Sequence, residues 1–244
     1  MSSRGLIFIS GWASDASCWD SIIEALNRAV CCRHVSWWEC LNDTGDQNAL
    51  HQILEQEKGD VIIVGWSLGA LTALEGCAFK AQHVRAMVLI SGTSRMTSEG
   101  SYPGVSSRTL NAMAARLKRT PRRVLEEFAR LCFDGGMGAL PDTGTFIDPF
   151  VEQALQLGID HLSAGLAYLQ RKDLRCILPE IDIPVRLIHG NSDRVIPVEC
   201  ARYMQRKLPK VRLAEIHGGS HALVYTDSFR VAGFIREVID ANFD

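Results

Sequence analysis

Gly65-Trp66-Ser67-Leu68-Gly69 is a G-x-S-x-G, set between the apolar run Asp60–Val64 and the helical pattern that opens with Ala70-Leu71-Thr72-Ala73-Leu74. A strand that runs into such a turn and out into a helix holds its serine at positive φ, and the flanking glycines spare the two backbones a Cβ clash. The chemistry of that arrangement is nucleophilic attack on an acyl carbon, with the amides of the helix N-terminus facing the negative charge that develops. A serine also needs a base, and His34, His51, His83, His161, His189, His217 and His221 are the candidates. The base should follow the last strand, on a loop just before the final helix. His221 fits, because Gly218-Gly219-Ser220 follows Val211–Ile216 and Ala222-Leu223-Val224 opens a helical pattern. His217 stands at the strand end, before the glycines, and reads as a packing or capping residue. The orienting acid should lie in the loop after the preceding strand, which places Asp193, within Gly190–Pro197, in that role. Two backbone donors complete the set: the N–H of Leu68, next to the nucleophile, and that of Trp12 in the turn Ser10-Gly11-Trp12. Such a set requires neither a metal nor a cofactor.

These residues meet only if the segments between them build a sheet. Short Val- and Ile-rich runs at Leu6–Ser10, Asp60–Val64, Val84–Ile90, Val185–His189 and Val211–Ile216, with a weaker one near Cys32–Trp37, read as strands. Helical patterns over Ser17–Ala29, Asn48–Glu57, Leu68–Phe79, Pro197–Leu208 and about Ala222 to Ala241 alternate with them. That alternation predicts an α/β fold with a mostly parallel, doubly wound sheet of about six strands. The interval from Ile90 to Val185 has no strand pattern; Thr109–Arg119, Arg122–Phe133 and Phe150–Gln170 are helical, between the Gly/Ser/Pro-rich stretches Ser91–Ser107 and Gly135–Gly144. A structureless loop of that length is improbable, so a helical lid is expected, inserted before the last two strands. The expected organisation is one domain over 1–244, with a core of 1–92 and 176–244 and a lid of about 93–175.

Composition excludes several classes. With 244 residues, 47% hydrophobic and 22% charged, the chain is an ordinary globular protein rather than a disordered one. Its net charge of -2 offers no overall attraction to nucleic acid or an anionic membrane. No apolar run reaches the ~18 residues of a spanning helix, and Leu6–Ile9, directly after Met1–Arg4, is too short for a signal-peptide core. The eight cysteines show no C-x-x-C and no zinc-finger spacing. A cytoplasmic monomer with mostly buried free thiols is the expectation.

Several landmarks together resemble one family. Gly11-Trp12 with Cys18-Trp19, the elbow Gly-Trp-Ser-Leu-Gly, Tyr102-Pro103-Gly104, Gly165-Leu166, Asp173-Leu174-Arg175, Gly190–Pro197 and Gly219-Ser220-His221 are similar to the pimeloyl-acyl carrier protein methyl ester esterases of biotin synthesis, which are α/β-hydrolases. The resemblance spans nearly the whole chain. It implies a Ser67, Asp193, His221 triad, oxyanion amides and substrate lining from Trp12 and Leu68, and a pimeloyl carboxylate and methanol as products. Three features depart from the pattern. Ser10 stands where the family has His before Gly-Trp, the usual hairpin before the first strand is missing, and Trp37-Trp38-Glu39-Cys40-Leu41-Asn42 lacks the family's D-x-x-G-x-G-x-S loop.

The lid has its own charge. Within Arg108–Arg130 only Glu126 and Glu127 oppose Arg108, Arg116, Lys118, Arg119, Arg122, Arg123 and Arg130. Beside an active-site mouth, Arg116, Arg119, Arg122 and Arg123 would suit an acidic acyl carrier protein and its phosphopantetheine phosphate; the alternative is a solvated helical face with an i,i+4 pair between Glu126 and Arg130. Two other functional readings stay open. A broad-specificity short-chain carboxylesterase or thioesterase acting on small esters would use the same catalytic groups, and a non-catalytic binding module would have lost part of them. Haloalkane and epoxide chemistry would place Asp at position 67, which is serine.

Overall fold

The structure, a computed structural model, describes residues 4–27, 31–41, 49–77, 82–135 and 144–243. The expected helix ends at Ala29, Asn48 and Phe79, Asn42 of the Trp37–Asn42 stretch, and most of Gly135–Gly144 lie outside the described residues. Six strands, β1 (Gly5–Ile9), β2 (Cys31–Val35), β3 (Val61–Trp66), β4 (Val84–Ile90), β5 (Val185–Gly190) and β6 (Val211–Ile216), form one sheet in the order β2-β1-β3-β4-β5-β6. Every neighbouring pair is parallel, so the sheet is more regular than the mostly parallel one expected. β3 is buried along its whole length, as a strand covered on both faces must be. The edge strands β2 and β6 are partly exposed, which accounts for their weaker, charge-interrupted patterns.

Strand order reverses at β1. The chain steps from β1 through α1 (Asp20–Leu26) to β2 on one side, and the later crossovers through α3 (Leu68–Cys77) run to the other. Right-handed crossovers in opposite directions put α1 and α3 on opposite faces of the sheet. α1 packs against α10 (Ser228–Phe243), α2 (Leu50–Glu55) packs on α3, and α8 (Val198–Lys207) covers β5 and β6. The reversal leaves a crevice between the C-terminal ends of β1 and β3, where sheets of this type bind ligands.

Several predicted helices are interrupted for local reasons. The Ser17–Ala29 pattern begins with a 3₁₀ turn, Ala16–Trp19, capped by Asp15, whose side chain accepts from the Ser17 N–H at 2.8 Å. α1 then stops at Asn27 in the left-handed region, φ 43°. Ala222–Ala241 is two helices, α9 (Leu223–Thr226) and α10, because Asp227 leaves the helical region at φ -133° and ψ 30°. The lid comprises α4 (Ser107–Leu117), α5 (Pro121–Phe133), α6 (Gly144–Gln156) and α7 (Ile159–Arg171). The last two divide the single Phe150–Gln170 pattern at Gly158, whose φ of 85° a helix cannot contain. Among the described residues no helix is long and apolar enough to cross a membrane.

The lid is tied to the core by polar contacts at identifiable points. The Trp12 indole N–H donates to the Leu162 carbonyl of α7 at 2.8 Å, and Glu75 of α3 receives Tyr168 Oη at 2.7 Å and Lys172 Nζ at 2.5 Å. The two ends of the lid are joined to each other, Arg95 bonding to Asp173 at 2.8 Å and Arg175 to Glu99 at 2.6 Å. α7 lies close against the core at Gly165, where a Cβ would stand 2.7 Å from the rings of both Trp12 and Trp37. Both rings are buried and cannot swing away. Gly165→Val is therefore expected to cost about 2 kcal/mol by overpacking, seen as a fall of about 4–8 °C in Tm in a thermal melt; an unchanged Tm would show that α7 can ride outward freely.

Candidate active site

The turn that carries Ser67 is built from a near-collision of backbones. A Cβ on Gly65 would stand 2.6 Å from the Gly69 carbonyl oxygen, and one on Gly69 would stand 2.1 Å from the Ile9 carbonyl oxygen. With both positions bare, α3 starts immediately after β3 and Ser67 is forced to φ +54°. The Ser67 N–H donates to the Ile90 carbonyl at 2.9 Å, and the Ser67 carbonyl accepts from Ala70 and Leu71 N–H at 3.1 and 3.2 Å. These bonds leave the hydroxyl directed away from the turn, toward the loops that follow β5 and β6.

His221 meets it there. Ser67 Oγ–H donates to His221 Nε2 across 2.9 Å, and His221 Nδ1–H donates to Asp193 Oδ2 across 2.8 Å. An ionised carboxylate only accepts, so Asp193 fixes the proton on Nδ1 and leaves Nε2 as the acceptor for the serine. Asp193 Oδ1 accepts the N–H groups of Val195 and Ile196, each at 2.8 Å. Burial pushes the Asp193 carboxyl up, but the attraction of His221 and the hydrogen-bonding contact with His189 more than offset this, and it is held well below the usual carboxylate range. The two loops interlock: a Cβ on Gly190 would stand 2.1 Å from the Gly219 carbonyl oxygen, and Asn191 Oδ1 accepts the Gly218 N–H at 2.8 Å. His217 lies on the exposed side and receives the Asn191 side-chain N–H at 3.1 Å, away from Ser67. The Trp66 indole, one residue before the serine, donates to the His221 carbonyl at 3.0 Å and so ties the elbow to the His221 loop.

Opposite the serine is the turn after β1. In-register pairing of Ile9 with Gly65 brings Ser10-Gly11-Trp12 beside the elbow. Ser10, where the resembled family has His, donates to the Ser14 carbonyl at 3.1 Å, while Ser14 Oγ donates to the Gly11 carbonyl at 3.0 Å around Ala13 at φ +65°. Two serine hydroxyls thus brace this turn. Between the two turns a narrow cavity opens from Ser67, walled by Trp12 and by Leu110, Met113, Phe128, Leu166 and Leu169 of the lid helices. Of these lid residues only Leu166, in the Gly165-Leu166 landmark, stands out in the sequence. The signal for Leu110, Met113 and Phe128 was the apolar spacing of Leu110 with Met113 and of Val124 with Phe128 on otherwise polar helices. Met113 and Phe128 also floor an outer groove between α4 and α5 that Arg108 and Arg116 border.

The lid arginines make ion pairs other than the expected one between Glu126 and Arg130. Glu127 receives both Arg116 at 2.7 Å and Arg123 at 3.1 Å, and Arg122 reaches across to Glu152 of α6 at 2.8 Å. All of these side chains are largely exposed, and Arg119 is exposed as well. The end of α5 touches the site's loops directly, since the Cys132 carbonyl accepts the Ala222 N–H at 3.0 Å and Asp134 pairs with Arg194.

The sequence pattern of the alpha/beta hydrolase family matches residues 6–234. The chain belongs to the alpha/beta hydrolase family. A protein of Nitrosomonas europaea named pimeloyl-acyl carrier protein methyl ester esterase is 28% identical over 228 residues, covering 89% of this chain and 88% of that protein. One of the same name from Neisseria meningitidis is 30% identical over 186 residues, 73% of this chain and 68% of that protein. These relatives form the group that the sequence landmarks resemble. An esterase structure from Exiguobacterium antarcticum superposes with a TM-score of 0.85 at 17% identity, covering 98% of this chain and 93% of that one, a likeness of fold. This alpha/beta hydrolase is a carboxylic ester hydrolase.

The depressed Asp193 carboxyl has a consequence for stability. Its folded-state pKa lies below the value of about 3.9 that an unfolded Asp has, so its ionised form stabilises the fold above that pH. The contribution is lost as pH falls from about 4 toward the lower folded value. Urea unfolding at a series of pH values should show wild type losing stability below about pH 4 more steeply than Asp193→Asn; parallel curves would show that the carboxylate is not held ionised by the fold.

Proposed function

We propose that this protein is a serine carboxylesterase that removes the methyl group from pimeloyl-acyl carrier protein through an acyl-enzyme. Ser67 Oγ attacks the ester carbonyl while His221 Nε2 takes its proton. The N–H groups of Leu68 and Trp12 receive the oxyanion. Collapse breaks the bond to the methoxy oxygen, and His221 returns the proton so that methanol leaves. A water then attacks the acyl carbon, His221 takes its proton, and Ser67 Oγ departs reprotonated, leaving a free carboxylate and one proton. Throughout, Asp193 holds the ring orientation and offsets the imidazolium charge. Each step uses only groups of this chain, the ester and one water, so the reading needs no metal and no cofactor.

The observation that carries the proposal is the hydrogen-bonded path from Asp193 through His221 to Ser67, ending in an apolar cavity with Ser67 7% and His221 0% exposed. A buried, apolar surround suits an alkyl chain and strengthens the charge interactions within. The names of the two relatives support the choice of substrate. Arg116 of α4, Arg122 and Arg123 of α5, and Arg119 in the turn between those two helices are proposed as the surface that meets the acidic carrier. A second reading, a broad short-chain carboxylesterase or thioesterase, is favoured by one feature, the narrowness of the cavity beside Ser67.

The two readings separate on substrate. Turnover of methyl pimeloyl-carrier protein should exceed that of free short-chain esters in kcat/KM, and Ser67→Ala should lower both by at least about 10³-fold and abolish fluorophosphonate labelling. Preference for the free short esters would favour the second reading, and an intact wild-type protein that takes no label would overturn both. Arg119→Glu with Arg123→Glu should reduce kcat/KM on the carrier-linked ester about fivefold to tenfold and spare a p-nitrophenyl ester; equal losses on both would remove the carrier surface.

A further inference from the structure

A second histidine touches the acid. His189, near the end of β5 and 1% exposed, hydrogen-bonds through Nε2 to the Ile196 carbonyl at 2.9 Å and stands 3.2 Å from Asp193 Oδ2, the oxygen that receives His221 Nδ1. Both neighbours of that nitrogen are acceptors, so Nε2 carries a proton. Ile196, whose carbonyl His189 holds, gives its own N–H to Asp193 Oδ1 at 2.8 Å. His189 therefore acts on both oxygens of the acid, on one through the Ile196 peptide and on the other through its N–H dipole. We propose that His189 is a positioning residue that fixes the Asp193 carboxylate and tempers its charge, and thereby sets the pH at which His221 becomes an effective base. This rests on the reading of Ser67, His221 and Asp193 as nucleophile, base and acid.

The direction of the effect follows from charge. A donor beside Asp193 Oδ2 draws electron density away from the oxygen that faces His221, so the imidazolium is held less tightly than by an unrelieved carboxylate. Without that donor, His221 keeps its proton to higher pH. Few other charges face this cluster among the described residues. Cys132 of α5 and Cys200 of α8 lie close to Asp193, but burial pushes both thiols up, Cys200 to about 11, so they stay neutral. Glu215 of β6, in register with His189, is neutralised by Arg202 at 2.6 Å, and Arg194 beside the acid is paired with Asp134.

Three substitutions and one measurement on the wild type test this. His189→Gln can return an N–H near the position of Nε2; His189→Asn is too short to do so, and His189→Leu has none. With a p-nitrophenyl ester, the acidic limb of kcat/KM against pH should move up by about half a unit or more in the Asn and Leu variants and stay at the wild-type position in Gln. The pH dependence of fluorophosphonate labelling should follow the same pattern. A purely structural His189 would lower Tm and leave the limb in place, and coincident limbs in the folded variants would overturn the proposal. ¹H–¹⁵N NMR of the wild-type protein should show His189 protonated at Nε2 at neutral pH, and a proton on Nδ1 alone would overturn it without any variant. Wild type that labels but shows unmoved limbs in the variants defeats this inference alone, whereas wild type that never labels defeats the esterase reading beneath it.

Discussion

Gly69 lies so close to β1 that a Cβ there would stand 2.1 Å from the Ile9 carbonyl oxygen. That contact sets how near α3 can come to the sheet, and the geometry of the elbow follows from it. With the helix pressed against the end of β1, the chain leaving β3 must reverse within one residue, and Ser67 is held at φ +54° to do so. A non-glycine residue at positive φ costs free energy, which the surrounding packing must supply. Here that packing is a fully buried strand on one side and a nearly fully buried helix on the other. The same approach brings the turn after β1 alongside the serine, so the placement of two groups is one constraint rather than two.

A similar economy governs the other loops. Asp193 and His221 follow neighbouring strands whose connections touch at Gly190 and Gly219, so neither loop can shift without the other. Tryptophans extend the linkage. Trp66 reaches from the elbow to the His221 carbonyl, Trp12 from the turn after β1 to the lid, and Trp37 to the Ser14 carbonyl at 3.2 Å. In each case a large ring fills the core and its single N–H ties it to a backbone carbonyl of another segment. The site is thus positioned by the hydrophobic core itself.

Much of this was legible because it is local or periodic. The elbow announces itself in five residues, and the sheet in runs of buried β-branched residues separated by helical patterns. The loops of Asp193 and His221 were found by their place after strands. What escaped the sequence depends on meetings across the fold. His189 looked like any strand histidine, since only the curl of the 190–196 loop returns Ile196 and Asp193 to its ring. Glu127 pairs with Arg116 from a different helix as well as with Arg123, and spacing rules see only the second. The helix breaks at Gly158 and Asp227 were hidden because the apolar pattern continues across them while the backbone changes direction.

The end of α5 has a further meaning for the architecture. Its last turn receives the Ala222 N–H, its Asp134 binds Arg194, and a Cβ on Gly135 would stand 2.3 Å from the Ser192 carbonyl oxygen. The helix that covers the cavity is therefore also part of the scaffold for the loops of Asp193 and His221. Lids of this kind are not interchangeable modules. A chimera that exchanges α4 and the outer face of α5 for those of another hydrolase would keep these supports only if Cys132–Gly135 stayed with the host core. The line between the cover and these supports therefore falls in the last turn of α5, not between one helix and the next.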